Sequence, residues 1–163
     1  MKHILFVCQG NICRSPMAEF LFKKLARTEG VAEWFDVASA AVSDEEVGNP
    51  VYPLARQELA QHGIGCVGKK ARQIEPGDYD RYDMIVCMDS GNYEALRMLF
   101  PEDTESKISR LLDYTDSPRD IADPWYTRDF RTAWNDINAG CRAIFDRLLP
   151  EAKAALAQEE QDV

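Results

Sequence analysis

The chain has 163 residues and a net charge of −9, enough length for one domain with a sizeable core and a field that opposes general binding to nucleic acid or an anionic membrane. No apolar run approaches the ~20 residues of a membrane span, and the N-terminus enters a strand with no signal peptide, so a cytoplasmic location is expected. Five cysteines, with no C-x2-C pair and only His3 and His62 to add imidazole, point to free thiols in a reducing compartment and away from a zinc site.

In chain order, His3–Val7 reads as a buried strand and Met17–Arg27 as a helix ending at Glu29-Gly30. Trp34–Ser39 is a second strand, followed by a polar loop over Ser43–Pro50. Leu54–Gln61 is a helix stopped at His62-Gly63. Ala71–Tyr79 is a connector that turns at Pro76-Gly77. Asp83–Met88 is a buried strand, Asn92–Phe100 a helix stopped by Pro101, and Lys107–Leu112 a shorter strand. A loop rich in Asp, Ser and Pro covers Asp113–Tyr126, and Phe130–Leu149 has long helical spacing. Residues 1–157 are expected to form a single domain and 158–163 a disordered acidic tail. Strands alternating with helices imply an α/β fold, a parallel sheet with helices on both faces. Ligands of such sheets sit beyond the carboxyl ends of the strands, where Cys8 lies.

The stretch Cys8-Gln9-Gly10-Asn11-Ile12-Cys13-Arg14-Ser15-Pro16 joins the first strand to the first helix. Proline is tolerated in a first turn, whose N–H groups have no intrahelical partner. Those amides, with the helix dipole behind them, make an anion site. Gly10 and Asn11 both tolerate positive φ, so successive amides can turn inward as a nest. A free thiol of pKa about 8.5 is only a few per cent ionised at neutral pH, and cationic surroundings at a helix N-terminus lower that value by several units. Arg14 has the planar fork to grip two phosphate oxygens. Phosphoryl transfer through a thiolate is the chemistry this pattern suits, the plain alternative being a buried structural cysteine beside a surface arginine. A nucleotide-binding P-loop is excluded, because no G-x4-G-K-[ST] occurs.

Asp123-Pro124-Trp125-Tyr126 is the second chemical element. Expelling an alkoxide or phenoxide requires a proton at the leaving oxygen, which a carboxylic acid on a loop can supply. Trp125 and Tyr126 could wall a slot for an aromatic ring. Asp-Pro is equally a common turn, and nothing local brings it near Cys8.

The run Val7–Glu19 resembles the signature of low-molecular-weight protein tyrosine phosphatases. The resemblance continues through Ser39–Ser43, His62-Gly63-Ile64, Ala71–Ile74, Val86–Asp89 and Asp123–Tyr126, in order and over nearly the whole chain, with Trp125 closer to bacterial members. It implies a four-stranded parallel sheet in a three-layer sandwich with the phosphate-binding loop after the first strand. It also implies phosphotyrosine hydrolysis with no metal and no cofactor. Cys8 becomes the nucleophile, Arg14 the phosphate clamp and Asp123 the general acid. Gln9, Gly10, Asn11, Ile12, Cys13 and Ser15 become phosphate- and substrate-binding. By the same resemblance Asn11, Ser15, Ser39 and His62 form a hydrogen-bond network holding the loop. From the residues alone, Ser15 could cap the helix, Ser39 end a strand and His62 serve the last carbonyls of its helix. Cys13 becomes a redox partner that forms a reversible disulfide with Cys8, where its plain reading is one more buried cysteine. Cys66, Cys87 and Cys141 are read as structural.

Where many relatives have an aromatic wall, this chain has Glu45 followed by Glu46, so that side of the slot should be more open and acidic. Gln9 stands in place of an apolar residue at the rim. Expected partners are phosphotyrosine proteins and a tyrosine kinase, with no nucleic acid and no membrane, and the chain a monomer or weak dimer. A thiol-linked arsenate reductase would need a resolving cysteine pair, and Asp89–Met98 has no cysteine. A protein-arginine phosphatase would carry threonine in place of Ile12. A catalytically silent phosphotyrosine-binding module would not need Cys8, Arg14 and Asp123 together.

Overall fold

A computed structural model describes all of residues 1–163, with strands β1 (Lys2–Cys8), β2 (Phe35–Ala41), β3 (Met84–Cys87) and β4 (Ile108–Arg110). They form one parallel sheet in the order β2-β1-β3-β4. Its central strand is apolar on both faces, as a strand covered on both sides must be. Ile4 and Phe6 point into a core shared with Met17, Phe22 and Ile137. Leu5 and Val7 point the other way, toward Tyr82, Ile85 and Leu96. Helices α1 (Arg14–Thr28), α2 (Pro53–Gln61) and α6 (Phe130–Gln161) cover the first face. Helices α3 (Asp78–Arg81) and α4 (Ser90–Leu99) cover the second. The four-residue α5 (Pro124–Thr127) lies in the stretch expected as loop. The layered α/β architecture expected from the alternation is the one observed.

Two expectations are corrected. The last strand was expected to reach Leu112, but Leu111–Tyr114 turn into a 3-10 helix. Leu111 packs where a Cβ on Gly140 would collide with it, so a glycine in α6 admits the chain. The final helix was expected to end at Leu149, and residues 158–163 to be a disordered tail. Instead α6 passes Pro150 and runs to Gln161, so Gln158–Gln161 are exposed but helical. Pro150 removes one helix hydrogen bond. Beyond it the fully buried Ala152 and the partly buried Leu156 still pack on the core, and Ala, Lys, Leu, Glu and Gln are good helix formers.

At the sheet edge, Asp103 accepts from the backbone N–H groups of Lys107 at 2.8 Å and Ile108 at 3.3 Å, and Asp113 accepts from that of Arg110 at 2.9 Å. No helix is long and apolar enough to cross a membrane.

Candidate active site

Cys8 is the last residue of β1, and its loop curls over the carboxyl end of the sheet into α1. Loop carbonyls are tied outward: Cys8 O accepts from Val42 N at 3.0 Å, Gln9 O from Ser43 N at 3.2 Å and Ile12 O from Tyr52 N at 2.9 Å. Asn11 sits at φ 60°, a conformation asparagine tolerates better than most residues. Fully buried, it donates Nδ2 to Ser15 Oγ at 2.8 Å and to Ser39 Oγ at 2.9 Å, and accepts Arg72 N on Oδ1 at 3.1 Å. Ser15 Oγ lies 3.0 Å from Cys8 Sγ, and Ser15 N donates to the same sulfur at 3.4 Å. The N-terminus of α1 therefore faces Sγ, where its dipole favours an anion.

Arg14 is 2 % exposed. Its Nη1 donates to Asp89 Oδ2 and to Ile121 O, both at 2.7 Å. Nη2 is 3.3 Å from Asp123 Oδ2. Burial disfavours the guanidinium charge, but Cys8, Asp123 and Asp89 outweigh that and hold its pKa above the usual arginine range. Asp123 Oδ1 caps α5 by accepting Trp125 N at 3.0 Å, with Pro124 at the first helical position, while Oδ2 leans toward Arg14.

A cavity of ≈ 150 Å³ opens above Sγ. Cys8, Gln9, Gly10, Ile12, Cys13 and Arg14 form its base. Asp123, Trp125, Tyr126, Glu45 and Glu46 complete its lining. Asn11, Ser15 and Ser39 lie buried beneath it as supports. Cys13 is buried at the cavity wall, where desolvation, with the Cys8 and Asp123 charges added, pushes its thiol pKa well up. Burial does the same to Cys87, pushed up to about 12, and to Cys141.

His62 is a correction. It does not join the loop network: its Nε2 pairs with Glu58 at 3.0 Å and its ring stacks on Trp134, centroids 3.9 Å apart. The end of α2 turns this side chain toward α6. The network ends instead at Glu19, which is 4 % exposed and accepts Ser39 Oγ at 2.6 Å. Lys23 Nζ at 2.6 Å and Lys69 Nζ at 3.7 Å offset the Glu19 charge, and Lys69 also donates to Ser39 O at 2.9 Å. Sequence reasoning missed Glu19, Lys69 and Asp89. A signal existed for two of them. Glu19 is a carboxylate four residues after Ser15 on a buried helix face, and Asp89 with Asn92 spells an N-terminal capping box.

Comparison with known proteins places the chain in a family. Residues 3–160 match the family described as low molecular weight phosphotyrosine protein phosphatase. The Bacillus subtilis low molecular weight protein-tyrosine-phosphatase YfkJ is 37% identical over 153 residues, 93% of this chain and 98% of that protein. Its crystal structure superposes with a TM-score of 0.89, covering 93% of this chain and 96% of the other. The human low molecular weight phosphotyrosine protein phosphatase is 37% identical over 90% of this chain and 95% of its own. The structure of a Drosophila arginine phosphatase, 31% identical, superposes at 0.82 over 90% of this chain and 97% of that one. With that family match over nearly its full length, and these relatives covering 90% or more of it, the chain belongs to the low molecular weight phosphotyrosine protein phosphatases.

Proposed function

We propose that the protein hydrolyses phosphotyrosine, and aryl phosphates generally, through a cysteinyl-phosphate intermediate, without a metal. The observation that carries this reading is the convergence of Cys8 Sγ, the N-terminus of α1, Arg14 and Asp123 on one cavity. A phosphate dianion seats between the loop amides and the outward Nη2 of Arg14. Sγ attacks phosphorus, and the amides and guanidinium stabilise the charge on the equatorial oxygens. The carboxyl of Asp123, released from Arg14 by the incoming phosphate, gives its proton to the leaving phenol oxygen. The resulting carboxylate takes a proton from water as that water attacks the thiophosphate, and phosphate departs. The hydroxyl of Ser15, 3.0 Å from Sγ, stabilises the sulfur as it leaves. Ile12, Trp125 and Tyr126 supply apolar surface for an aromatic ring, and Glu45 leaves the rim acidic.

On this reading the substrates are phosphotyrosine proteins written by a tyrosine kinase, and the five unpaired cysteines suit a reducing cytoplasm. The test is phosphate release from phenyl phosphate in the presence of a chelator, beside a phosphoarginine substrate and arsenate. Cys8→Ser should abolish turnover while the protein stays folded, since a serine hydroxyl at neutral pH is a far weaker nucleophile. A Cys8→Ser protein keeping a tenth of the wild-type rate would exclude the covalent intermediate. Faster release from phosphoarginine than from phenyl phosphate would move the substrate class to arginine.

A further inference from the structure

Arg128 lies outside the cavity, and the reaction as described makes no use of it. It ends α5 in the left-handed region, at φ 61°, a conformation that non-glycine residues adopt only at a cost. Its hydrogen bonds both go to neutral acceptors: Nη2 donates to Tyr52 Oη at 2.7 Å and Nη1 to Trp125 O at 3.2 Å. The guanidinium also lies 5.3, 5.9 and 5.7 Å from the ring centres of Tyr52, Trp125 and Phe130. Tyr52 meets Trp125 edge-on at 4.9 Å and stacks on Phe130 at 5.9 Å.

What Tyr52 holds at its other end gives the arrangement its meaning. Its backbone N–H is bonded to Ile12 O, inside the phosphate loop. A continuous chain of contacts therefore runs from the phosphate loop through Tyr52 and Arg128 to Trp125, whose own N–H is bonded to Asp123. Apart from the Arg14 contacts to Asp123 and Ile121 O, the bond from Ile121 N to Met88 O and the buried Pro124, little holds the segment bearing Asp123. Helix α5 is four residues long, too short to be stable by itself, and Trp125 and Tyr126 are 43% and 79% exposed. A general acid must stand within about 2.6–3.2 Å of the oxygen it protonates, and a misplacement of about 1 Å can cost a hundredfold.

We propose that Arg128 is a positioning residue that clasps the acid-bearing turn to the phosphate loop through Tyr52, and so sets where the Asp123 carboxyl stands over the bound phosphoryl group. This rests on the reading of Asp123 as general acid. A residue that merely packed on the surface would affect all substrates alike. A clasp on the acid acts only where proton donation matters.

The experiment compares Arg128→Met, Tyr52→Phe, the double variant and Asp123→Asn. It measures kcat/KM for phenyl phosphate and for the ester of a much more acidic phenol, the inhibition constant of inorganic phosphate, and thermal unfolding. Methionine keeps the apolar stem of Arg128 and removes the fork. Arg128→Met should lose about ten- to a hundredfold on phenyl phosphate, about threefold or less on the acidic phenol ester, and leave phosphate inhibition within about twofold. Tyr52→Phe should show the same pattern more weakly, and the double variant should be no worse than Arg128→Met alone. Equal losses on both esters, an additive double variant, or weakened phosphate inhibition would overturn the clasp. If Asp123→Asn discriminates between the esters while Arg128→Met does not, the clasp alone is wrong. If Asp123→Asn does not discriminate, the acid assignment falls and takes the clasp with it.

Discussion

Asp89 uses its two oxygens for two different purposes, and that makes its replacement by asparagine informative. Oδ1 caps α4 by accepting Asn92 N at 2.8 Å, and Oδ2 accepts Arg14 Nη1 at 2.7 Å. Asparagine offers one oxygen. Turned to Arg14, it gives up the cap, worth about 1 kcal/mol. Turned to Asn92, it aims an NH2 at a guanidinium that is 2 % exposed, forfeiting about 1.5–3 kcal/mol. The two orientations cost about the same, because in the first the surviving neutral contact to Arg14 is roughly half as strong as the charge-assisted one, a further loss of about 1 kcal/mol. Asp89→Asn should therefore be destabilised by about 2 kcal/mol, lowering Tm by about 4–8 °C for a chain of this size. The share that falls on Arg14 should lower kcat/KM about fivefold. Asp89→Ala leaves the buried cation short of its acid partner as well as the helix uncapped, about 3–5 kcal/mol for the first alone, and Tm should fall by about 10 °C or more. Thermal unfolding by circular dichroism and kcat/KM on phenyl phosphate measure both. An asparagine variant equal to wild type in both, or an alanine variant no worse than asparagine, would refute the reasoning.

Three further outcomes are expected. Asp123→Asn should slow phenyl phosphate hydrolysis about a hundredfold and an ester of an acidic phenol much less, read as kcat/KM; equal losses would remove Asp123 from the acid role. Peroxide should oxidise Cys8 to a sulfenic acid, releasing water, and the Cys13 thiol should then attack that sulfur, expelling water and forming a Cys8–Cys13 disulfide that dithiothreitol reverses. Cys13→Ser should instead carry Cys8 on to irreversible sulfinic and sulfonic acids, and peptide mapping with an activity-recovery assay distinguishes this from a Cys13 that only packs. Although burial raises the pKa of Asp120, the Ser90 hydroxyl and amide and Arg110 pull it below the usual carboxylate value. Its stabilising share is thus present above about pH 4 and lost as pH falls through the lower folded value. Asp120→Asn should flatten the decline of Tm at acid pH, and an unchanged slope would contradict this.

The phosphate loop was legible because its chemistry is contiguous: Cys8, Asn11, Arg14 and Ser15 all lie within eight residues, between an apolar strand and a helix. Asp123 lies more than a hundred positions further on, and no local property aims it at Arg14; only the family resemblance gave it a place at this site. His62 shows the same limit from the other side. Its residue type suits a network, but just past the end of α2 its ring stacks on Trp134, and the real terminus, Glu19 with Lys69, comes together only through tertiary packing. The layered parallel architecture followed from alternating apolar runs, whereas the strand order β2-β1-β3-β4 is visible only in the folded sheet. Helix α6 was cut short because Pro150 is a strong local stop, overridden here by the burial of Ala152. Leu111 and Leu112 read as strand because they are apolar, yet they turn into a 3-10 helix, with Leu111 in the space that Gly140 leaves open.

The carboxylates at the edge of the sheet have a consequence for how this molecule meets others. A bare edge strand is a template on which a second chain can align and polymerise. Here three of the edge's backbone donors, at Lys107, Ile108 and Arg110, already belong to Asp103 and Asp113. Only three residues of strand precede the inward turn. An intruding peptide would have to strip two anions from their amides to gain a ladder of minimal length. The β4 margin of the sheet therefore resists aggregation by strand addition.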